Sequence, residues 1–343
     1  MTLTSPRPGP SAPPTSAVTA AIDRAPGLVF AVAVAAVATM VASLSSSVSP
    51  LVVAVALGAV AANVGLVGPR LQPGLSTAAG LLLRIGVVLL GLRLSVGDVA
   101  ALGSSGILVV AGTVAVTFFG TQAIGRRLGL SPDLSLLVAT GYSICGASAI
   151  GAVSGATEAD EEEVAAAIGL VTLFGSLAIL TLPILAGPLA LDGDRFGPWA
   201  GASVHDVAQV VATASAGGSA TVAAAMVVKL TRVALLTPIV VGVSMQRRRA
   251  GGAQPDRRPP LLPWFVIGFL AAVAIRSTGV VSTAAIDGAR AVEGWLFAIA
   301  LVGLGAGVRI DRLRRLGPRP LALGAAAWVL VAATAGIGLH LVA

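Results

Sequence analysis

The sequence predicts an all-α membrane protein with about eleven transmembrane helices, and three observations lead there. Hydrophobic residues make up 56% of the chain and charged residues 11%, with a mean hydropathy of +0.95; soluble domains carry about 25% charged residues. From about Leu28 onward the apolar residues fall into runs close to the roughly 20 needed to cross a hydrocarbon core. The arginines gather at alternate ends of those runs.

Residues 1–26 are rich in Pro, Ser, Thr and Ala and lack the apolar stretch of a signal peptide, so they read as a disordered cytoplasmic tail. Residues 27–343 read as one polytopic transmembrane domain. Its runs are Leu28–Leu44, Leu51–Val67, Leu75–Leu92 (interrupted by Arg84), Ala101–Ile124, Leu134–Ala156 and Val164–Leu189. Pro198–Ala216, Ser219–Met245, Pro263–Val280, Ala291–Val308 and Pro320–Val342 complete the eleven.

With the amino terminus inside and all eleven runs spanning, the inside loops hold Arg70, Arg126, Arg127, Arg195, the arginines from Arg247 to Arg258 and those from Arg309 to Arg319. The outside loops hold only Arg93, Arg290 and the acidic stretch Glu158 to Glu163. This is a positive-inside pattern, and it puts the carboxy terminus outside. It also accounts for the net charge of +7 without nucleic acid, for which 4% aromatic content offers little stacking surface. The single cysteine, Cys145, excludes an intrachain disulfide.

The fifth run contains Gly141-Tyr142-Ser143-Ile144-Cys145-Gly146-Ala147-Ser148-Ala149-Ile150-Gly151, whose glycines and hydroxyls weaken a helix. Irregular backbone at membrane depth is tolerated only where it is buried in protein or faces a wet cavity, so a break here marks a ligand site. Close packing of small residues is the other reading. The seventh run carries Ser203, His205, Asp206, Gln209 and Thr213, with His205, Gln209 and Thr213 at i, i+4, i+8 on one helix face.

The eighth run carries Lys229 and Arg232 at i, i+3; Lys229 is the one lysine among 22 basic residues. Intramembrane charge costs about 2.5–3.5 kcal/mol per group on insertion scales, so these groups need partners. Only Gly217 and Gly218 separate the seventh and eighth runs, so an Asp206–Lys229 or Asp206–Arg232 pair fits sterically. A structural ion pair is one reading. An anion site is the other, because Arg84, Lys229 and Arg232 outnumber Asp206.

His205 titrates near physiological pH when unperturbed, which suits a coupling or gating role beside Asp206 and Gln209; a structural histidine is the alternative. Two short echoes suggest internal repetition. Leu102-Gly103 with Asp98 resembles Leu316-Gly317 with Asp311 in an inverted frame, and Gly146-Ala147-Ser148 resembles Gly201-Ala202-Ser203.

The stretch Gly141 to Ile150, then Ser203-Val204-His205-Asp206-Val207-Ala208-Gln209-Val210-Val211-Ala212, then Lys229-Leu230-Thr231-Arg232-Val233 resemble signature segments of the UPF0324 family, also called YeiH-like or sulfate-exporter proteins. Gly91-Leu92-Arg93-Leu94 and Pro263-Trp264-Phe265 are similar to further family segments. The resemblance implies a multi-pass protein of a bacterial inner membrane, with inverted repeats and broken crossing helices of the bile-acid/sodium symporter type.

The function expected is secondary transport of a small anion by alternating access, coupled to a proton or sodium gradient and using no other cofactor. The substrate would be an oxyanion such as sulfate or sulfite, or a sulfonate or other organic anion. In that reading Arg84, Lys229 and Arg232 attract the anion, Tyr142, Ser143, Cys145, Gly146 and Ser148 line the break, and His205, Asp206 and Gln209 couple or gate. The partners are the lipid bilayer and the small anion, and a homodimer is compatible. No metal-ligand cluster and no Walker-type loop is present in the sequence. An anion channel, or an intramembrane enzyme using Cys145 and His205, are the alternatives.

Overall fold

The computed structural model describes residues 17–44, 49–100, 102–154, 159–249, 264–309 and 317–342. Residues 1–16 of the expected tail, Glu158, Arg257, Arg258 and Asp311 lie outside these. Every regular element among the described residues is helical. The elements are α1 (Ala17–Ser43), α2 (Pro50–Asn63), α3 (Gln72–Thr77), a π-turn (Ala78–Leu82) running into α4 (Leu83–Gly91), α5 (Val96–Ala100), α6 (Gly103–Arg127), α7 (Pro132–Ser143) and α8 (Ala147–Ser154). They continue with α9 (Glu161–Ala186), α10 (Phe196–Ser203), α11 (Val207–Ala214), α12 (Ser219–Ala234), α13 (Leu236–Arg249), α14 (Trp264–Ser277), α15 (Thr283–Ala306) and α16 (Pro318–Leu341).

Local chemistry sets several starts. Ser49 caps α2 by accepting from Leu51 N, and Pro50 opens the helix. Ser131 and Pro132 do the same for α7, and Ser282 caps α15. Asp160 accepts from Glu163 N, and Glu161, Glu162 and Glu163 complement the positive end of α9. The first helix begins at Ala17, well before the expected Leu28, so Pro26 lies within it.

Two bundles result. The first holds α1, α2, α3–α4, α14 and α15; the second holds α6 to α13 with α16. Small residues bring backbones together in the first bundle. A Cβ on Gly58 of α2 would lie 2.3 Å from the Val302 carbonyl oxygen, and one on Gly305 of α15 would lie 2.1 Å from that of Val55. In the second, α6 and α16 run antiparallel, with Gly120 against Leu330 and Gly338 against Val109. Between the bundles, α11 touches α2 and α15.

Contacts at the helix ends define two faces. On the first face Gly27, about three turns into α1, packs against Leu71 at the start of α3, and the end of α2 meets the end of α15 (Asn63 Nδ2 to Val308 O, 2.8 Å). The starts of α7 and α9 meet there through a hydrogen bond from Ser131 Oγ to Glu163 Oε1. On the second face Ser49 at the start of α2 donates to Ser215 Oγ (3.0 Å), Arg93 pairs with Glu293 (3.0 Å), and His340 Nε2 contacts Leu189 O (3.0 Å).

These contacts correct the expected topology. Helix α7 leaves the first face and α9 starts from that face again, so α7–α8 is a hairpin, with Ile150 of α8 packed beside Gly141 of α7. Helices α10 and α12 run in parallel from the second face, with Gly197 near Thr221 and Gly201 near Ala225. Between them α11 returns to Ser215, so α10–α11 is a second hairpin, entering from the opposite face.

The chain therefore does not form eleven end-to-end spans. Seven described helices, α1, α3–α4, α6, α9, α12–α13, α15 and α16, are long and apolar enough to cross a membrane. The fifth and seventh apolar runs each fold back at their centre. The physical cause is that each break supplies a turn of about three residues between two arms that are too short to span separately.

Candidate site at the hairpin tips

Helix α7 ends at Ser143 because the backbone departs from the helix at Ile144 (φ −115°, ψ −94°). Gly146, at φ +70°, returns its N–H to the Gly141 carbonyl at 2.9 Å. A side chain at Gly146 would be strained, and its Cβ would meet Val171 at 3.1 Å and Asp206 Oδ2 at 3.4 Å, so the glycine also lets the two tips approach. Helix α10 ends where Val204 becomes extended.

Asp206 starts α11 as its N-cap. Its Oδ1 accepts from Ala208 N (2.9 Å), Gln209 Oε1 accepts from Asp206 N (3.2 Å), and Gln209 Nε2 donates to Thr172 O of α9 (3.2 Å). His205 precedes the cap and is outside the helix, so the expected His205–Gln209–Thr213 helix face does not form.

The two broken hairpins present their last carbonyls to α12. Lys229 Nζ donates to Ile144 O (2.7 Å), Val204 O (2.8 Å) and His205 O. Arg232 donates through Nε to Ser143 O (3.0 Å), through Nη2 to Tyr142 O (2.6 Å), and through Nη1 to Gly201, Ala202 and Val204 O (3.3, 2.5 and 3.2 Å). Both side chains have no exposed surface. Cations thus meet the negative ends of α7 and α10, and the i, i+3 spacing aims both at the tips. The expected Asp206 ion pair with either cation is not made, because the carboxylate faces its own helix start.

The other expected site residues lie around this crossing. The rings of Tyr142 and His205 stand 4.0 Å apart at 43°, and Tyr142 donates to Leu170 O at 3.2 Å. His205 is fully buried and neither ring nitrogen has a protein hydrogen bond. Ser143 donates to Thr140 O at 3.3 Å, and Cys145 is buried. Ser148, in the first turn of α8, is exposed. Arg84 is also exposed, 6.0 Å from the Phe265 ring centroid.

A cavity of about 980 Å³ lies between the bundles. Its lining runs from the first-face residues Gln72, Glu163, Gly307 and Pro320 to Ala147 and Thr172, at the depth of the tips. Asp160, Glu162 and Arg309 stand at its rim. On the second face the bundles touch through Ser49–Ser215 and through Arg290 Nη2 to Ser219 Oγ (2.8 Å). Thr113, Thr117 and Thr121, not among the expected site residues, form a buried stripe on α6 at i, i+4, i+8 whose hydroxyls have no protein partner.

Residues 26–324 match the family described as conserved hypothetical protein 698. A UPF0324 membrane protein of Corynebacterium glutamicum is 39% identical over 314 residues, covering 91% of each chain. The chain belongs to the UPF0324 family. Another UPF0324 membrane protein, from Bordetella bronchiseptica, is 38% identical over 257 residues, 73% of this chain and 80% of its own length. The UPF0324 membrane protein TauZ of Paracoccus pantotrophus is 37% identical over 279 residues, 80% of this chain and 82% of its own. For this UPF0324 chain the helical composition and the relatives agree on a multi-pass membrane protein.

Proposed function

We propose that this UPF0324 protein is a secondary transporter of a small anion, an oxyanion such as sulfate or sulfite or a sulfonate or other organic anion, working by alternating access. The observation that carries the reading is the meeting of two opposed hairpins at a stapled crossing, beside a cavity lined from one face down to the tips. Opposed hairpins are how an inverted repeat is built, and discontinuous helices at mid-depth are where transporters of this architecture hold substrates. The cavity reaches Ala147 at the amino-terminal end of α8, where helix polarity favours negative charge.

Lys229 and Arg232 act in this reading from behind the tips, as fixed positive charge, since each of their nitrogens is already engaged by a carbonyl. Arg84 supplies a further charge, and the cycle is driven by a proton or ion gradient through the His205–Asp206–Gln209 segment. The first face is cytoplasmic, with the amino terminus inside and the carboxy terminus outside; the reversal of α9 moves only Arg195 and the acidic stretch across the positive-inside pattern. The membrane is the bacterial inner membrane.

The rim carries both signs, Asp160 and Glu162 with Arg309, and so also accommodates an anion that bears a cationic group. A thermal-shift screen of detergent-purified protein should therefore pair sulfate, sulfite and carboxylates with simple sulfonates and aminosulfonates. A ligand of the folded state raises its melting temperature by mass action. A rise with one anion class, followed by its flux in proteoliposomes, is the expected result. No rise with any of them, or unitary currents indicating a channel, overturns the reading.

A further inference from the structure

We propose that Lys229 is a built-in occupant of a monovalent-cation site, so that the crossing takes its cation from the chain and binds no sodium there. This rests on the transporter reading above only for its bearing on coupling; the geometry stands independently. Three carbonyl oxygens converge on one point, from Ile144 of the first hairpin tip and from Val204 and His205 of the second. All three residues lie in the breaks between helical arms. Carbonyl oxygens that converge in this way replace the hydration shell of a bare cation.

The group at that point is Nζ of Lys229, and the stoichiometry matches. An ammonium has three N–H bonds and no acceptor, and three acceptors face it. A free sodium in the same place would leave and return with the solution composition, and each departure would set three buried carbonyls against one another. A tethered ammonium stays. The two hairpins, which enter from opposite faces, are thereby fixed to each other and to α12 at every step, and Arg232 one turn further repeats the connection with Tyr142, Ser143, Gly201, Ala202 and Val204. The stapled tips therefore move as one body against the first bundle, and the coupling ion is a proton rather than sodium.

The test uses the purified full-length protein. Wild type should melt at the same temperature in sodium, potassium and choline chloride at equal ionic strength. Lys229→Ala should melt lower, and n-propylammonium, which replaces the three lost methylenes and the ammonium, should raise its midpoint, whereas tetramethylammonium, with no N–H bonds, should not. A sodium-specific rise for wild type overturns the proposal, and this arm stands even where Lys229→Ala does not fold. A folded Lys229→Ala protein with the wild-type midpoint, or one that n-propylammonium leaves unchanged, also overturns it. None of these readouts requires transport, so a protein that gives the expected melting pattern but moves no anion would refute the transporter reading alone.

Discussion

Replacing Arg232 with methionine removes a charge and leaves five carbonyl contacts on two hairpins without their donor. Hydrogen bonds inside membrane proteins average about 0.6 kcal/mol by double-mutant cycles, which gives about 3 kcal/mol for five. Taking one partner from a buried charged network costs about 3–5 kcal/mol in soluble proteins, because groups are left buried and unpaired. The two routes agree near the lower figure. Arg232→Lys keeps the charge but brings three donors in place of a fork, so it should lose about two contacts and roughly 1 kcal/mol by the same average. Cys145, 4% exposed and adjoining the tip, provides the assay, since a thiol-reactive fluorophore labels it only as the tips open. The midpoints should rank wild type, Arg232→Lys, Arg232→Met, the last lower by about 4 °C for a chain of this length. An Arg232→Met protein with the wild-type midpoint would refute the staple.

Three further outcomes follow from the same geometry. Gly175→Ala places a Cβ 1.8 Å from Gln209 Oε1, so it should displace Gln209 from its bonds to Asp206 and Thr172, lowering both the melting midpoint and any flux; a neutral substitution would show that the cap of α11 is dispensable. Ser49→Cys with Ser215→Cys puts two thiols where the hydroxyl oxygens are now 3.0 Å apart, so an oxidant should crosslink them, hold the second face closed and stop flux until reductant is added. Failure to crosslink would mean that this contact is not made in the membrane. Single cysteines at Ser131 and Glu161, in a Cys145→Ser background, should react with an impermeant maleimide from the same side of the membrane, and one at Arg195 from the other. Opposite sidedness for Ser131 and Glu161 would restore the fifth run as a full span.

Much of the site was legible before any coordinates, and the reason is compositional. A lysine and an arginine one turn apart inside an apolar run, a glycine-rich break and a Ser-Val-His-Asp segment are each expensive in hydrocarbon, so each marks a place where the protein supplies compensation. Opposite charge in the sequence points to Asp206 as the partner of Lys229 or Arg232, whereas both cations are held by main-chain carbonyls, which every residue carries and which become free acceptors only where a helix stops. His205 was placed on a helix face by periodicity; the helix starts two residues later, at Val207.

The direction of the fifth and seventh runs was equally hidden. A broken helix that continues across the membrane and a hairpin that turns back have the same hydropathy, and both leave the termini on the same two sides when they occur as a pair. The arginine pattern separates them by Arg195 alone, too little to decide. By itself, then, the sequence determined the class, the family and, Arg84 and Ser148 apart, most of the side chains that lie at the crossing, because burial cost is a property of each side chain. Only the tertiary structure decided that two runs fold back from opposite faces and that Lys229 and Arg232 bind backbone, because main-chain acceptors gain their positions only when helices end against one another.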